Sequence, residues 1–214
     1  MHNRYTVTIS DDHPHILYSL KMLFSGNDKF LITNEAVCGK DLLSALSARP
    51  TDIVITDFSL GSDRSTIDGF TKLRALHGRF PDVKIVLLTS QKNTAILRKA
   101  SDYGVKAVVS KCDSVEETVL ACHHVVSQQE CYYSSSFNYL KVPSSKGSER
   151  GSTLTPKELE VVRLFSSGYS LAEIAQRQNR TISTISTQKY NAMRRLGVSS
   201  NIELIRYAYA QGLI

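Results

Sequence analysis

The stretch Tyr5-Thr6-Val7-Thr8-Ile9-Ser10-Asp11-Asp12-His13-Pro14 sets the reading of the first 127 residues. Six residues form a strand-length run, two carboxylates follow, and Pro14 stands where a helix can begin. Further strands are predicted at Phe30–Glu35, Asp52–Thr56, Val83–Leu88 and Val105–Val109. Ile53-Val54-Ile55 and Ile85-Val86-Leu87-Leu88 are apolar without alternation, the pattern of a strand covered on both faces. Helix-length segments lie at Pro14–Phe24, Lys40–Ala48, Gly69–Arg79, Thr94–Ser101 and Ser114–Val126. Five βα repeats predict a parallel sheet with helices on both faces.

From about Ser127 the pattern fails. Tyr132–Ser136 and Pro143–Ser152 are rich in Ser, Gly and Pro, so residues 128–152 read as a flexible linker. After Thr153 the periodicity is helical to Ile214. Thr155, Pro156 and Glu158 spell a capping box, and Ser170 with Glu173 spells another. The predicted helices run from Pro156 to about Ser167, over Leu171–Gln178, from a Thr181 cap to Leu196, and over Ile202–Gln211. A short helix, a tight turn and a second helix form a helix-turn-helix. The chain therefore reads as a 1–127 domain, a tether, and an all-α four-helix domain over 153–214.

Composition limits the classes of function. At 214 residues and 42% hydrophobic, the chain is no disordered tail. No apolar run reaches the roughly 18 residues of a membrane span. The N-terminus lacks the apolar core of a signal peptide, so a cytoplasmic protein with no membrane association is expected. Of the net charge of +6, the last 64 residues carry +4, with 8 basic and 4 acidic side chains. That excess suggests a polyanion partner. Cys38, Cys112, Cys122 and Cys131 show no metal-ligand or disulfide spacing and read as reduced thiols.

Side chains at the carboxyl ends of adjacent parallel strands converge on one crevice. Here those ends carry Asp11-Asp12, Asp57, Thr89-Ser90 and Lys111. Three converging carboxylates repel unless a cation sits among them, and hard oxygen ligands favour Mg²⁺. A metal-held aspartate beside a lysine and a hydroxyl suits receipt of a phosphoryl group. A lone Asp57 would read as a polar strand end; the other strand ends turn the reading toward chemistry. His13 and His15 read instead as helix-start or surface residues, and His123-His124 as structural. Zinc has no ligand-pair spacing to support it.

The third helix of the tail has two faces. Ile185, Ala192, Met193 and Leu196 form a core stripe, opposite Ser183, Thr187, Tyr190 and Arg194, which Ser186 and Asn191 flank. The polar face can bond base edges or phosphates in a major groove, whereas Lys189 is expected to bury its stem and snorkel.

Ser10-Asp11-Asp12-His13-Pro14, Ile55-Thr56-Asp57, Leu88-Thr89 and Ser110-Lys111 resemble the receiver domain of two-component response regulators. The resemblance implies a flavodoxin-like α/β fold, a five-stranded parallel sheet of order 2-1-3-4-5. It implies Asp57 as phospho-acceptor and Asp11, Asp12, Asp57 and the Ser59 carbonyl as Mg²⁺ ligands. Thr89 would be the switch hydroxyl and Lys111 the phosphate-pairing lysine. Three departures stand out: no proline follows the acceptor in a longer loop to Gly69, Val108 replaces the switch aromatic, and Cys112 replaces a frequent proline.

The tail resembles the LuxR-type helix-turn-helix through Leu154–Glu158, Leu171–Ala175, Thr181–Gln188 and Arg195–Val198. The pairing with a receiver is that of the NarL/FixJ class, and within it the segments from Asn179 to Val198 look most like the enterobacterial capsule regulators. Gln188 stands where the wider family usually has His. The resemblance implies base contacts from Ser186, Thr187 and Tyr190 and phosphate contacts from Thr184, Lys189 and Arg194. It also implies dimerisation through the final helix.

The function expected is a DNA-binding transcription regulator rather than an enzyme. A sensor histidine kinase or phosphotransfer protein would phosphorylate it, and DNA, RNA polymerase and a second regulator, identical or related, would be its partners. Two alternatives stay open: a phosphorylation-independent regulator acting with a partner subunit, and a Mg²⁺-dependent phosphohydrolase using Asp57 as nucleophile. Nucleotide-binding glycine motifs are absent.

Overall fold

A computed structural model describes residues 4–60, 67–128, 130–141, 154–211 and 213–214. The described chain falls into two compact units, the residues up to Ser90 with Ala100–Lys141, and Gln91–Lys99 with the described residues from Leu154 on. In the first, β1 (Tyr5–Ser10), β2 (Phe30–Ala36), β3 (Ile53–Thr56), β4 (Lys84–Thr89) and β5 (Val105–Ser110) alternate with helices. These are α1 (Pro14–Phe24), α2 (Gly39–Ala48), α3 (Gly69–Arg79), α4 (Thr94–Ser101), whose residues up to Lys99 group with the second unit, and α5 (Glu116–Ser127). All strands pair in parallel, Val7 opposite Ile53, Ile53 opposite Lys84, and Leu87 opposite Val108.

Alternate residues of each strand serve opposite faces of the sheet. Val7, Ile9, Ile53, Ile55, Val86, Leu88, Ala107 and Val109 share one core cluster with Leu17, Leu20 and Phe24 of α1 and Ala121, Cys122 and Val125 of α5. Their neighbours Val54, Ile85, Leu87 and Val108 are buried as well. Burial on both faces is why the central strands carry unbroken apolar runs.

The sheet has six strands, in the order β2-β1-β3-β4-β5-β6, where five were expected. The added strand, β6 (Tyr132–Tyr133), and a 3₁₀ helix over Ser135–Lys141 occupy the first half of the stretch read as linker. Polar anchors overcome its Ser-rich composition. Ser134 is fully buried; its N–H donates to the Val108 carbonyl (3.0 Å) and its Oγ accepts from the Ser110 N–H (3.1 Å). The Tyr132 hydroxyl donates to the Glu117 carboxylate, and Ser136 bonds Asp113. The rest of the expected linker, 142–152, lies outside the described residues, as does the loop stretch 61–66.

The second unit holds α6 (Pro156–Ser166), α7 (Leu171–Gln178), α8 (Ile182–Leu196) and α9 (Asn201–Ala210). Complete capping boxes start α6 at Thr155/Glu158, α7 at Ser170/Glu173 and α9 at Ser200/Glu203. Each satisfies backbone N–H groups that a helix start otherwise leaves bare. Thr181 caps α8, and Gly197 closes it with φ +66°, a left-handed conformation that suits glycine. Val161, Leu164, Ile174, Ala175 and Ile185 form the core. Of the expected α8 stripe, Ile185 and Ala192 are buried, while Met193 and Leu196 are only half-buried. No described helix is long and apolar enough to cross a membrane.

Candidate functional site

Because β1, β3, β4 and β5 are neighbours and parallel, their carboxyl ends share one edge of the sheet. Asp11 and Asp12 follow β1, Asp57 follows β3, Thr89 closes β4 and Lys111 follows β5. Backbone bonds fix these exits: the Asp11 N–H donates to Ala36 O (3.2 Å), Asp57 to Ser10 O (3.1 Å) and Lys111 to Thr89 O (3.0 Å). The Lys111 ammonium lies 2.7 Å from Asp11 Oδ2 and 2.7 Å from Asp57 Oδ2. The three side chains are 9%, 1% and 10% exposed, so the bridge is largely desolvated. Burial alone would lower the Lys111 pKa, yet the charge of Asp57 and the hydrogen bonds to both carboxylates hold it above the ordinary lysine value.

Asp57 Oδ1 accepts the Phe58 N–H at 2.5 Å, which fixes the carboxylate's rotation. Thr89 is buried beside this group of strand ends, and Ser59 is half-buried two residues beyond Asp57. The turn leaving Asp57 is tied to the start of α3. Asp68 Oδ1 accepts the Leu60 N–H (2.7 Å), and the N–H of Gly69, at φ +53°, donates to Phe58 O (3.2 Å).

His13 begins α1 and is exposed, as expected, but its ring also faces the acid pair. Its Nδ1 lies 3.0 Å from Asp11 Oδ1 and 2.9 Å from Asp12 Oδ1. Ligand atoms of Asp11, Asp12 and His13 all fall within 4.8 Å of one another. The helix start hid this second role, which the adjacency of Asp12 and His13 could have signalled. Val108 is fully buried within β5 and Cys112 is exposed.

On α8, Ser183, Ser186, Thr187, Tyr190 and Arg194 are exposed along one face, with Tyr190 at 66%. Thr184 is half-buried and its hydroxyl bonds that of Thr181 (2.9 Å). Lys189 is half-buried, its ammonium 4.0 Å from the Phe165 ring centroid, and burial lowers its pKa. Arg195 turns toward Glu158 at 3.4 Å. A shallow cleft where α7 meets α8 is lined by Gln176, Asn179, Arg180, Thr181 and Thr184, which adds Arg180 to the basic groups beside α8.

A doubly wound sheet with acids and a lysine at its carboxyl edge, followed by a helix-turn-helix, defines a two-domain signalling regulator. The response regulator receiver domain family matches residues 7–122, and the luxR family of bacterial regulatory proteins matches residues 152–208. The chain belongs to the response regulators of transcription that join a receiver to a LuxR-type DNA-binding domain. It is 32% identical over 205 residues to the transcriptional regulatory protein RcsB of Escherichia coli (strain K12), covering 96% of this chain and 94% of that one. It is 31% identical over 212 residues to the Fimbriae Z protein of the same organism, covering 98% of each. The fold matches the RcsB response regulator of Salmonella typhimurium with a TM-score of 0.80, 29% identity and 98% coverage of both chains. It also matches RcsB from Salmonella enterica serovar Typhimurium bound to promoter rprA with the phosphomimetic BeF₃⁻, at a TM-score of 0.76, 29% identity and coverage of 97% and 99%.

Proposed function

We propose that a sensor histidine kinase or phosphotransfer protein phosphorylates this regulator on Asp57, and that phosphorylation controls how a dimer binds DNA. The observation that carries the reading is the buried ammonium of Lys111, which Asp11 and Asp57 share at 2.7 Å each. In the transfer, an Asp57 carboxylate oxygen forms a new bond to phosphorus as the donor's bond to phosphorus breaks. Lys111 then follows the charge from the carboxylate to the phosphoryl oxygens, and the Thr89 hydroxyl donates to one of them.

The donor set suits a hard divalent cation: the Asp11 and Asp12 carboxylates are close together, and Asp57 is joined to Asp11 through Lys111. Asp11, Asp12, Asp57 and the Ser59 carbonyl would hold Mg²⁺. When bound, the ion neutralises charge on the transferring phosphoryl group. The chain's own residues orient the carboxylate, through Phe58 N–H, and exclude water by burial.

For DNA, Ser186, Thr187 and Tyr190 read base edges and Arg194 pairs with phosphate, because these side chains form the exposed face of α8. Thr184 and Lys189 make phosphate contacts at its margin, where Lys189 swings off the Phe165 ring. Ile202, Ile205 and Tyr209 form an exposed stripe on α9 suited to a second regulator subunit. RNA polymerase is the downstream partner, and the cytoplasm is the compartment where these partners meet.

Treatment of the full chain with acetyl phosphate and Mg²⁺, followed by mass spectrometry of peptides, tests the acceptor. The expected result is an acyl phosphate on Asp57 that the Asp57→Ala variant lacks. Turnover of phosphate esters by the intact chain would favour the phosphohydrolase instead.

A further inference from the structure

Lys72, one turn into α3, is fully buried. Its ammonium donates to the carbonyl of Asp57 and, at 3.1 Å, to that of Phe58, and lies 3.9 Å from Asp68 Oδ1. Desolvating an ammonium is costly unless its protons find acceptors. Here two of the acceptors lie in the turn that leaves Asp57, and the carboxylate belongs to Asp68, the residue at the N-cap position of α3. Residues 58–68 contain no proline to stiffen this passage. A buried charge holds the described ends of the passage instead, at Asp57–Phe58 and at Asp68.

Stability alone does not call for a lysine at this position. The Asp57 carbonyl also accepts from Thr56 Oγ1 (3.2 Å), the Phe58 carbonyl from Gly69 N–H (3.2 Å), and Asp68 Oδ1 from Leu60 N–H (2.7 Å). Each acceptor therefore keeps a donor without Lys72, and an apolar side chain would fill the same space at lower desolvation cost. What the ammonium adds is direction: two successive carbonyls are drawn to one point beneath the strand end.

We propose that Lys72 is a positioning residue for phosphoryl transfer. By fixing the carbonyls of Asp57 and Phe58 it aims the Asp57 carboxylate at Lys111 and sets the course of the backbone entering Ser59, the carbonyl that would complete the cation site. The proposal rests on the reading of Asp57 as phospho-acceptor.

The test compares full-length parent, Lys72→Met and Lys72→Gln. Three quantities are measured: the melting temperature without Mg²⁺, Mg²⁺ affinity by calorimetry, and the rate of acyl phosphate formation from acetyl phosphate. Lys72→Met is expected to melt at or above the parent temperature. Its Mg²⁺ affinity and phosphorylation rate should each fall roughly tenfold or more, since small misplacements of a reacting group are amplified in rate. Lys72→Gln, which keeps one donor, should fall between them and serves as the readout if Lys72→Met does not fold. A folded variant with Mg²⁺ affinity and rate unchanged overturns the proposal. So does loss of folding in both variants, which would make Lys72 a stability residue. A parent chain that takes no phosphoryl on Asp57 removes the acceptor reading and this proposal with it; a phosphorylated parent with unaffected variants removes the proposal alone.

Discussion

Lys111 Nζ stands 2.7 Å from Asp57 Oδ2 and the same distance from Asp11 Oδ2, so one ammonium joins the ends of β5, β3 and β1. Removing it leaves two carboxylates facing each other with little solvent between them. Lys111→Met should cost about 2 kcal/mol of stability in Mg²⁺-free buffer, measured by denaturant unfolding.

The pH dependence of that cost has a definite sign. The folded-state pKa of Lys111 is raised above the ordinary 10.5, so its contribution is complete below that value and fades as pH rises through the folded-state value. The stability gap between parent and Lys111→Met should stay level from neutral pH to about pH 10 and narrow beyond it. A gap that widens in alkali would contradict the bridge.

The Ser134 hydroxyl holds β6 to β5 by accepting the Ser110 N–H in a fully buried position. Ser134→Ala orphans that N–H, and the cost should be about 1–3 kcal/mol. A thermal melt of the full chain checks this, with Ser135→Ala as an exposed control.

Some of this architecture is legible in residue order and some is not. Pro14, Thr155/Glu158, Ser170/Glu173 and Gly197 announce helix ends locally, because a cap is a bond between near neighbours. The convergence of Asp11, Asp57, Thr89 and Lys111 follows from parallel connectivity once the strands are recognised. β6 is hidden because a two-residue strand has no periodicity, and its anchors at Glu117, Asp113 and Ser110 are distant in sequence. Lys72 is hidden because a lysine on a helix ordinarily reads as solvated. Lys189 is partly buried as its helix position suggests, while its seat on Phe165 depends on how α6 and α8 meet.

Tyr190 and Arg194 share the exposed face of α8 but should fail differently. Tyr190→Ala should blur the preference for one sequence over another by about 1–3 kcal/mol. Arg194→Ala should weaken all sequences alike and reduce the logarithmic salt slope by about 1. Fluorescence anisotropy across a salt series, on specific and scrambled duplexes, separates the two.

Ile202, Ile205 and Tyr209 expose an apolar stripe on α9. Ile202→Glu with Tyr209→Glu should shift the DNA-bound species from two chains toward one, as read by sedimentation, and leave the melting temperature near that of the parent.

The cysteines should differ in reactivity. Cys112 is exposed, whereas burial pushes the Cys122 thiol up to about 12. Alkylation of the native chain near neutral pH should label Cys112 first and spare Cys122 until unfolding, as peptide mapping would record.

Chemistry at Asp57 is proposed to govern the helix-turn-helix. Its most direct test is the affinity of the full chain for a genomic fragment it selects, measured before and after acetyl phosphate and Mg²⁺, alongside Asp57→Ala. Tighter binding is expected after treatment in the parent, with no change in Asp57→Ala. Equal affinity in all four samples, or a gain that survives Asp57→Ala, would contradict it.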